Sequence, residues 1–135
     1  MKSLFVTLAA LTLAAPAFAA GDAAKGEKEF NKCKACHSIT AADGTAVVKG
    51  GKTGPDLFGV VGRAAGSTDF AYSTLMKDAA AKGLVWNEEE IATYVTDPNA
   101  FLREKSGDTS GASKMTFKLA KGGEDVAAYL ASLPK

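Results

Sequence analysis

The stretch Cys33-Lys34-Ala35-Cys36-His37 restricts the fold more than any other part of this sequence. The residues before it, from Asp22 onward, have the cap and the spacing of a first helix that ends near Cys33. Two cysteines three residues apart at the end of a helix project their thiols to the same side. His37 follows the second cysteine directly, so an imidazole and two thiols are presented to one region of space. The rest of the chain has to fold around whatever these side chains bind.

Thiols with this spacing can each add across a vinyl group on one edge of a haem, and the next histidine then lies under the iron. Cys-x-x-Cys-His is the pattern by which c-type haem is attached. We therefore predict one covalently bound haem c, with thioether bonds to Cys33 and Cys36 and with His37 as an axial ligand. Such a large apolar cofactor also supplies buried surface that a short, loop-rich chain lacks.

Three other uses of these residues remain as alternatives. A thioredoxin-like redox pair has the same cysteine spacing, but it requires a βαβ context that the sequence does not indicate. A zinc site would need a fourth Cys or His, and the chain has only two cysteines and one histidine. A plain disulfide between Cys33 and Cys36 is the third alternative, because exported proteins usually pair their cysteines.

Residues 1–19 have the three parts of a secretory signal peptide. Lys2 gives a positive start, residues 4–15 carry no charge, and Ala17 and Ala19 are the small residues that a signal peptidase reads. The apolar run is too short for a membrane span. We predict cleavage after Ala19, within one residue, and a periplasmic mature chain; a buried N-terminal helix and a retained anchor are the alternatives.

The remaining residues, 20–135, are expected to form one domain. Without Lys2 the chain keeps 15 of its 16 basic side chains, against 15 acidic ones. This balance gives no nucleic-acid signature. No later segment is long and apolar enough to cross a bilayer, so we expect a soluble monomer.

Helical patterns dominate the mature chain, and no alternating strand pattern of useful length occurs. The residues from 38 to 66 hold half of the glycines without a sustained period and are predicted to form loops, as is the polar segment 106–114. The predicted fold is therefore a small all-α domain with long loops around one haem. The expected helices run from Asp22 to about Cys33, Tyr72 to Lys82, Asn87 to about Asp97, Ala100 to Lys105 (a short turn), and from about Gly123 through Leu133.

The second axial ligand can be approached by elimination. His37 is the only histidine, so a second histidine ligand is excluded, and Met1 leaves with the signal peptide. Met76 lies in a predicted helix beside Leu75, where core packing is the usual role of a methionine. Met115 ends a polar loop far enough along the chain to return to the opposite face of the haem. We predict Met115 as the ligand, with lysine, water or an empty position as alternatives.

Taken together, these motifs resemble those of the class I cytochromes c, close to the bacterial cytochrome c₂ type. The resemblance covers the whole mature chain. Mitochondrial relatives often carry a histidine near Gly51 and an asparagine near Met76, and this chain has neither. The matching motifs are Gly26 and Phe30, the 33–37 segment, Thr53-Gly54-Pro55-Asp56-Leu57, Gly62-Arg63, Phe70-Ala71-Tyr72-Ser73, Trp86, Tyr94, Lys114-Met115-Thr116-Phe117 and Ala127-Ala128-Tyr129-Leu130.

The resemblance implies roles for the side chains around the haem. The Pro55 carbonyl would accept a hydrogen bond from the His37 ring, which fixes the ring and makes it a better ligand. Tyr94 would hydrogen-bond the Met115 sulfur or a buried water. The remaining implied roles are an approach to the haem propionates by Arg63, Tyr72 and Trp86, and cover of the haem edge by Phe117.

Ligation by His37 and Met115 would fill both axial positions and raise the potential of the haem. No open position would remain for oxygen or a substrate, so we predict an electron carrier and not an enzyme, with iron that cycles between Fe(II) and Fe(III). The resemblance implies a bc₁-type quinol oxidoreductase as donor and a photosynthetic reaction centre or terminal oxidase as acceptor. A haem enzyme or gas sensor with a displaceable Met115, and an interaction module that needs haem only to fold, are the competing hypotheses.

Lysines lie on every segment that is expected near the exposed haem edge, while acidic residues cluster elsewhere, at Glu88-Glu89-Glu90 and Glu124-Asp125. An electron must leave through this edge, and charge steering gives the fast, weak binding that a carrier needs. We therefore expect transient docking to an acidic partner surface. The predicted docking residues are Lys32, Lys34, Lys49, Lys52, Lys114 and Lys118.

The first prediction concerns the mature protein. Its mass should equal that of residues 20–135 plus one haem, and acid–acetone should not extract the haem, because thioether bonds survive acid. Replacement of Cys33 by alanine should leave one thioether at most and a poorly matured product. A haem-free mass for the exported wild-type protein would contradict the attachment.

Overall fold

The computed structural model describes residues 20–135, so the predicted signal peptide lies outside the described residues. Within this range the fold consists of helices, long loops and one small two-stranded antiparallel sheet. A 3₁₀ turn at Phe30–Lys32 extends the first helix to Cys33. The elements are α1 (Ala23–Glu29), β1 (Ile39–Thr40), β2 (Ala46–Val48), α2 (Thr74–Ala81), α3 (Glu88–Thr96), α4 (Pro98–Ser106) and α5 (Gly123–Ser132).

The first and last helices cross at Gly26. The Asp22 side chain caps α1 by accepting hydrogen bonds from two backbone N–H groups, and its own N–H donates to Asp125 Oδ1 at 2.7 Å. A Cβ atom on Gly26 would lie 1.8 Å from the carbonyl oxygen of Asp125. Only glycine permits this approach, which brings the Phe30 and Tyr129 rings to 5.6 Å between centroids.

A β-hairpin occupies part of the segment that the sequence predicted to be loops throughout. Strands β1 and β2 pair antiparallel, with Ile39 opposite Val48 and fully buried, and Gly44 in the turn has a φ of +85°. Strands of two and three residues are too short to show an alternating pattern. The prediction of a mainly helical domain is otherwise confirmed.

Helix α4 is longer than the predicted turn at residues 100–105, because Pro98 begins it. Asp97 ends α3 and also caps α4, with its carboxylate accepting from the Ala100 N–H at 3.1 Å. Proline is well tolerated at the first position of a helix, where its missing N–H has no partner to lose. Gly107, in the left-handed region at φ +75°, closes α4.

The core of the described residues lies between the helices and beneath the loop that joins β2 to α2. Met76 is only 8% exposed and belongs to this core. Within residues 20–135, none of the helices combines the length and apolar character needed to cross a bilayer.

Candidate haem site

The attachment segment forms a tight turn at the end of the first helix. The backbone N–H groups of Cys36 and His37 both donate to the Cys33 carbonyl, at 3.1 and 2.9 Å. The two cysteines are free, with Cys33 half-buried and Cys36 exposed. Burial raises the pKa of the Cys33 thiol to about 11, so this thiol is neutral. The two sulfur atoms are not joined in a disulfide, so both are available for covalent attachment.

The imidazole of His37 is held by the backbone of the following loop. Its Nδ1 lies 2.7 Å from the Pro55 carbonyl oxygen. Because a carbonyl can only accept, Nδ1 must carry the proton, and Nε2 keeps a lone pair for a metal. Burial lowers the pKa of His37, although the bond to Pro55 and the charge of Asp56 partly offset that effect. The ring is thus neutral, which is the form that binds metal.

A glycine loop wraps closely over the attachment segment. Gly51 N–H donates to the Lys34 carbonyl at 2.9 Å, and Gly54 N–H donates to the Cys36 carbonyl at 2.8 Å. A Cβ atom on Gly54 would lie 2.4 Å from Cε1 of His37. The sequence analysis quoted Gly54 only as part of a motif and missed this role. The feature of the sequence that could have indicated this role is the group of glycines that follows the attachment motif, because only glycine lets a backbone lie this close to the motif.

Asp56 organises the same loop and was also missed as a site residue. Its carboxylate accepts from the backbone N–H groups of Thr40 and Phe58, at 3.1 and 2.9 Å, and from the Ser38 hydroxyl at 3.0 Å. Burial raises the pKa of this carboxyl, but the hydrogen bonds outweigh that effect and hold the pKa below its usual value. Asp56 therefore fixes the loop that presents the Pro55 carbonyl to His37.

The side chains that the resemblance places at the propionates share one region. Arg63 donates to the carbonyls of Phe58 and Asp56, at 2.9 and 3.1 Å, and burial lowers its pKa while Tyr72 and Asp56 raise it. Tyr72 pairs its hydroxyl with that of Thr68. Much of the Arg63 guanidinium is thus bound to loop carbonyls.

Trp86 enters this region through the backbone. Its N–H donates to the Arg63 carbonyl at 2.9 Å, and its carbonyl accepts from Gly62 at 2.6 Å. The indole is 7% exposed and packs on Tyr94 and Phe101, with centroids 5.0 and 5.9 Å away. Phe101 completes this aromatic cluster, and the sequence analysis did not identify it.

The two methionines of the described residues have different surroundings. Met76 is packed in the core on α2, whereas Met115 is half-buried in an irregular segment, and its N–H donates to Ser113 Oγ at 3.1 Å. Burial raises the pKa of the Tyr94 phenol, and the side chain of Ser113 partly offsets this, so Tyr94 lies near the segment that carries Met115. Phe117, two residues on, is 43% exposed.

These donors fit a c-type haem better than the other candidates. Two free thiols lie beside a neutral, oriented imidazole, and a thioether on a surface segment is a suitable second ligand. Within residues 20–135 no group of three or more His, Cys, Asp or Glu side chains could hold a metal ion, and the sheet is a single antiparallel hairpin. A zinc site and a thioredoxin-like βαβ unit therefore have no counterpart in this part of the chain.

Known proteins agree with this assignment. The chain is 66% identical to cytochrome c₂ of Rhodobacter capsulatus over 130 residues, which is 96% of this chain and 94% of that protein. It is 57% identical to cytochrome c-550 of Paracoccus versutus over 133 residues, 96% of this chain and 86% of that one. The solved structure of the R. capsulatus protein matches with a TM-score of 0.81 at 65% identity, over 83% of this chain and 97% of that one. No family model matches the sequence.

The chain belongs to the cytochrome c₂ family of class I c-type cytochromes. Members of this family are electron carriers rather than enzymes, and they hold one covalently bound haem c. The predictions of fold class, cofactor and general activity are thereby confirmed. Which residues of this cytochrome ligate the iron, and where it docks, stay predictions.

The glycine cover of His37 can be tested by the change Gly54→Ala. A methyl group at this position would displace the imidazole or the loop, because the present gap to the ring is smaller than any van der Waals contact. We expect at least a tenfold lower yield of mature haem protein, and a histidine ring N–H that exchanges faster with solvent in NMR spectra of what matures. The neighbouring change Thr53→Ala, at an exposed position, is the control, and equal yields from both variants would contradict this role.

Proposed function

We propose that this cytochrome is a soluble periplasmic carrier that takes single electrons from a bc₁-type quinol oxidoreductase. The acceptor in this proposal is a photosynthetic reaction centre or a terminal oxidase. The observation that carries it is the neutral His37 ring, bonded to Pro55 at 2.7 Å beside two free thiols. In the proposal these residues supply an axial ligand and a covalent anchor. Membership of an electron-carrier family supports electron transfer as the activity.

The haem, once bound, supplies a one-electron Fe(II)/Fe(III) couple. In the proposal Cys33 and Cys36 hold it covalently, His37 binds one face of the iron and Met115 the other. Pro55 keeps the imidazole neutral and oriented, so little has to rearrange when the charge of the centre changes. With both axial positions filled by protein, oxygen and small substrates find no open site, which favours electron transfer over the haem-enzyme and gas-sensor hypotheses.

Three of the six predicted docking lysines have intramolecular partners. Lys32 donates to Glu29 at 2.5 Å and Lys118 donates to Asp97 at 2.7 Å. Lys114 donates to the Ala71 carbonyl and lies 5.9 Å from the centroid of the Phe70 ring. The charges of Lys32 and Lys118 are therefore partly neutralised before any partner arrives, and Lys114 helps to attach the Met115 segment.

The other three predicted lysines are exposed on the surface of the attachment region. Lys34 lies within the Cys-x-x-Cys-His motif, and Lys49 and Lys52 flank the glycine loop that is bonded to it. Lys34 lies between Cys33 and Cys36, and Cys36 is itself exposed; Gly51, between Lys49 and Lys52, donates its N–H to the Lys34 carbonyl. In the proposal these three residues provide most of the electrostatic steering toward an acidic partner, and Lys32, Lys114 and Lys118 contribute less.

The ligand assignment is tested by a pair of methionine variants. Met115→Ala should abolish the near-infrared charge-transfer band of the oxidised protein, open the iron to external ligands and lower the potential, because a thioether favours Fe(II). Met76→Leu should leave the band and the potential nearly unchanged, since Met76 is a core residue. The assignment is wrong if Met76→Leu removes the band while Met115→Ala retains it.

The docking surface is tested by charge reversal at Lys34 and Lys52. Each change to Glu should slow association with the purified bc₁-type complex by roughly two- to tenfold at low ionic strength and weaken the salt dependence, with little change in potential. Lys82→Glu is the control, because Lys82 closes α2 and lies near Gly107 at the end of α4. Equal effects at Lys82 and Lys34, or a rate that does not respond to salt, would show that docking occurs elsewhere.

A further inference from the structure

The segment that carries Met115 is attached on both sides to the junction between α3 and α4. On the C-terminal side, Leu119 N–H donates to the Val95 carbonyl at 2.8 Å, and Lys118 Nζ lies 2.7 Å from Asp97 Oδ2. On the N-terminal side, Ser113 N–H donates to Asn99 Oδ1 at 2.7 Å. The partners span five consecutive residues, Val95 to Asn99, so a short stretch of chain binds both ends of the methionine segment.

The bonds on the N-terminal side form a connected series that leads to Met115. Asn99 Oδ1 accepts from the Ser113 backbone, and Ser113 Oγ accepts from the Met115 N–H at 3.1 Å. Ser113 is 7% exposed, so its N–H has little access to water if the acceptor is removed. One turn further along α4, Arg103 Nε donates to the Gly111 carbonyl at 3.1 Å, which ties the same loop to the same face of the helix.

The bond to Asn99 should matter more than the ion pair on the other side. Lys118 and Asp97 are 55% and 38% exposed, and exposed ion pairs contribute little to stability. Asn99 is half-buried, and its partner is a buried backbone donor that would otherwise lose a hydrogen bond. The amide of Asn99 is therefore the attachment whose loss would change the freedom of the methionine segment most.

We propose that Asn99 is a positioning residue for Met115: through Ser113 it sets how firmly the methionine is held at the iron. This inference rests on the proposed ligation by Met115. Asn99 would act by stabilising the closed segment, in which its hydrogen bond is made, relative to an open segment in which an external ligand replaces the thioether. The N-terminal end of α4 would thus control ligand exchange without touching the haem.

The test uses imidazole as a probe of the oxidised haem protein. In Asn99→Ala the closed state loses a hydrogen bond that the open state lacks anyway, so imidazole should bind about fivefold more tightly than to the wild type. Binding is followed by loss of the near-infrared methionine band. Asn99→Asp keeps an acceptor at this position and should restore an affinity close to that of the wild type.

Asn87→Ala is the matched control, because Asn87 Oδ1 also accepts from a backbone N–H, that of Glu90 at 2.8 Å, at the start of α3. It should lower the unfolding midpoint without a change in imidazole affinity. An equal gain in affinity for Asn87→Ala, or no gain for Asn99→Ala, would overturn the proposal. If Asn99→Ala fails to mature, Ser113→Ala breaks the next bond of the series and should show the same gain, and unchanged affinity there would count equally against it.

A parallel measurement on Met115→Ala separates this inference from the ligand assignment. A band that persists in Met115→Ala would refute both the ligation and the positioning role. A band that depends on Met115, together with an imidazole affinity that does not respond to Asn99, would refute the positioning role alone.

Discussion

The hydrogen bond between His37 and the Pro55 carbonyl is the contact on which the haem site depends. A carbonyl oxygen can only accept, so the bond fixes the tautomer of the ring and leaves Nε2 as a donor for iron. Asp56 holds the loop that presents the carbonyl, through hydrogen bonds from Thr40, Phe58 and Ser38. Gly54 lets this loop lie against the imidazole. A histidine without these contacts would have no defined orientation toward the cofactor.

The segment that carries Met115 is held by a different kind of scaffold. Polar groups at the α3–α4 junction bind it on both flanks, and one carboxylate, that of Asp97, both caps α4 and pairs with Lys118. Asp97 can do both because Pro98 begins a new helix directly after the residue that ends the previous one. The two proposed axial ligands are thus positioned by hydrogen bonds to loops and helix ends, whereas the crossing of α1 and α5 at Gly26 supplies the frame.

The surface charges divide according to what they contact within the molecule. All six predicted docking lysines are exposed, but Lys32, Lys114 and Lys118 also have carboxylate, carbonyl or aromatic partners within the described residues. A net formal charge of +1 therefore says little about steering, which depends on where the unneutralised charges lie. The relatives from Rhodobacter and Paracoccus, at 66% and 57% identity, place the chain in a family of electron carriers.

The sequence by itself determined the features that depend on neighbours in the chain. The Cys-x-x-Cys-His motif indicated the cofactor, and Asp22 and Asn87 marked helix starts, because a capping side chain acts on residues two or three positions away. Three features were decided only by the tertiary structure. They are the hairpin at Ile39, the ion pair between Asp97 and Lys118, and the hydrogen bond from Ser113 to Asn99. Each of them joins residues whose pairing depends on how intervening loops fold, and strands of two and three residues are too short to leave a periodic pattern. The lysines divide in the same way. Lys32 pairs with Glu29, a neighbour in the chain, whereas the contacts of Lys114 with Ala71 and of Lys118 with Asp97 were settled by where the Met115 segment packs.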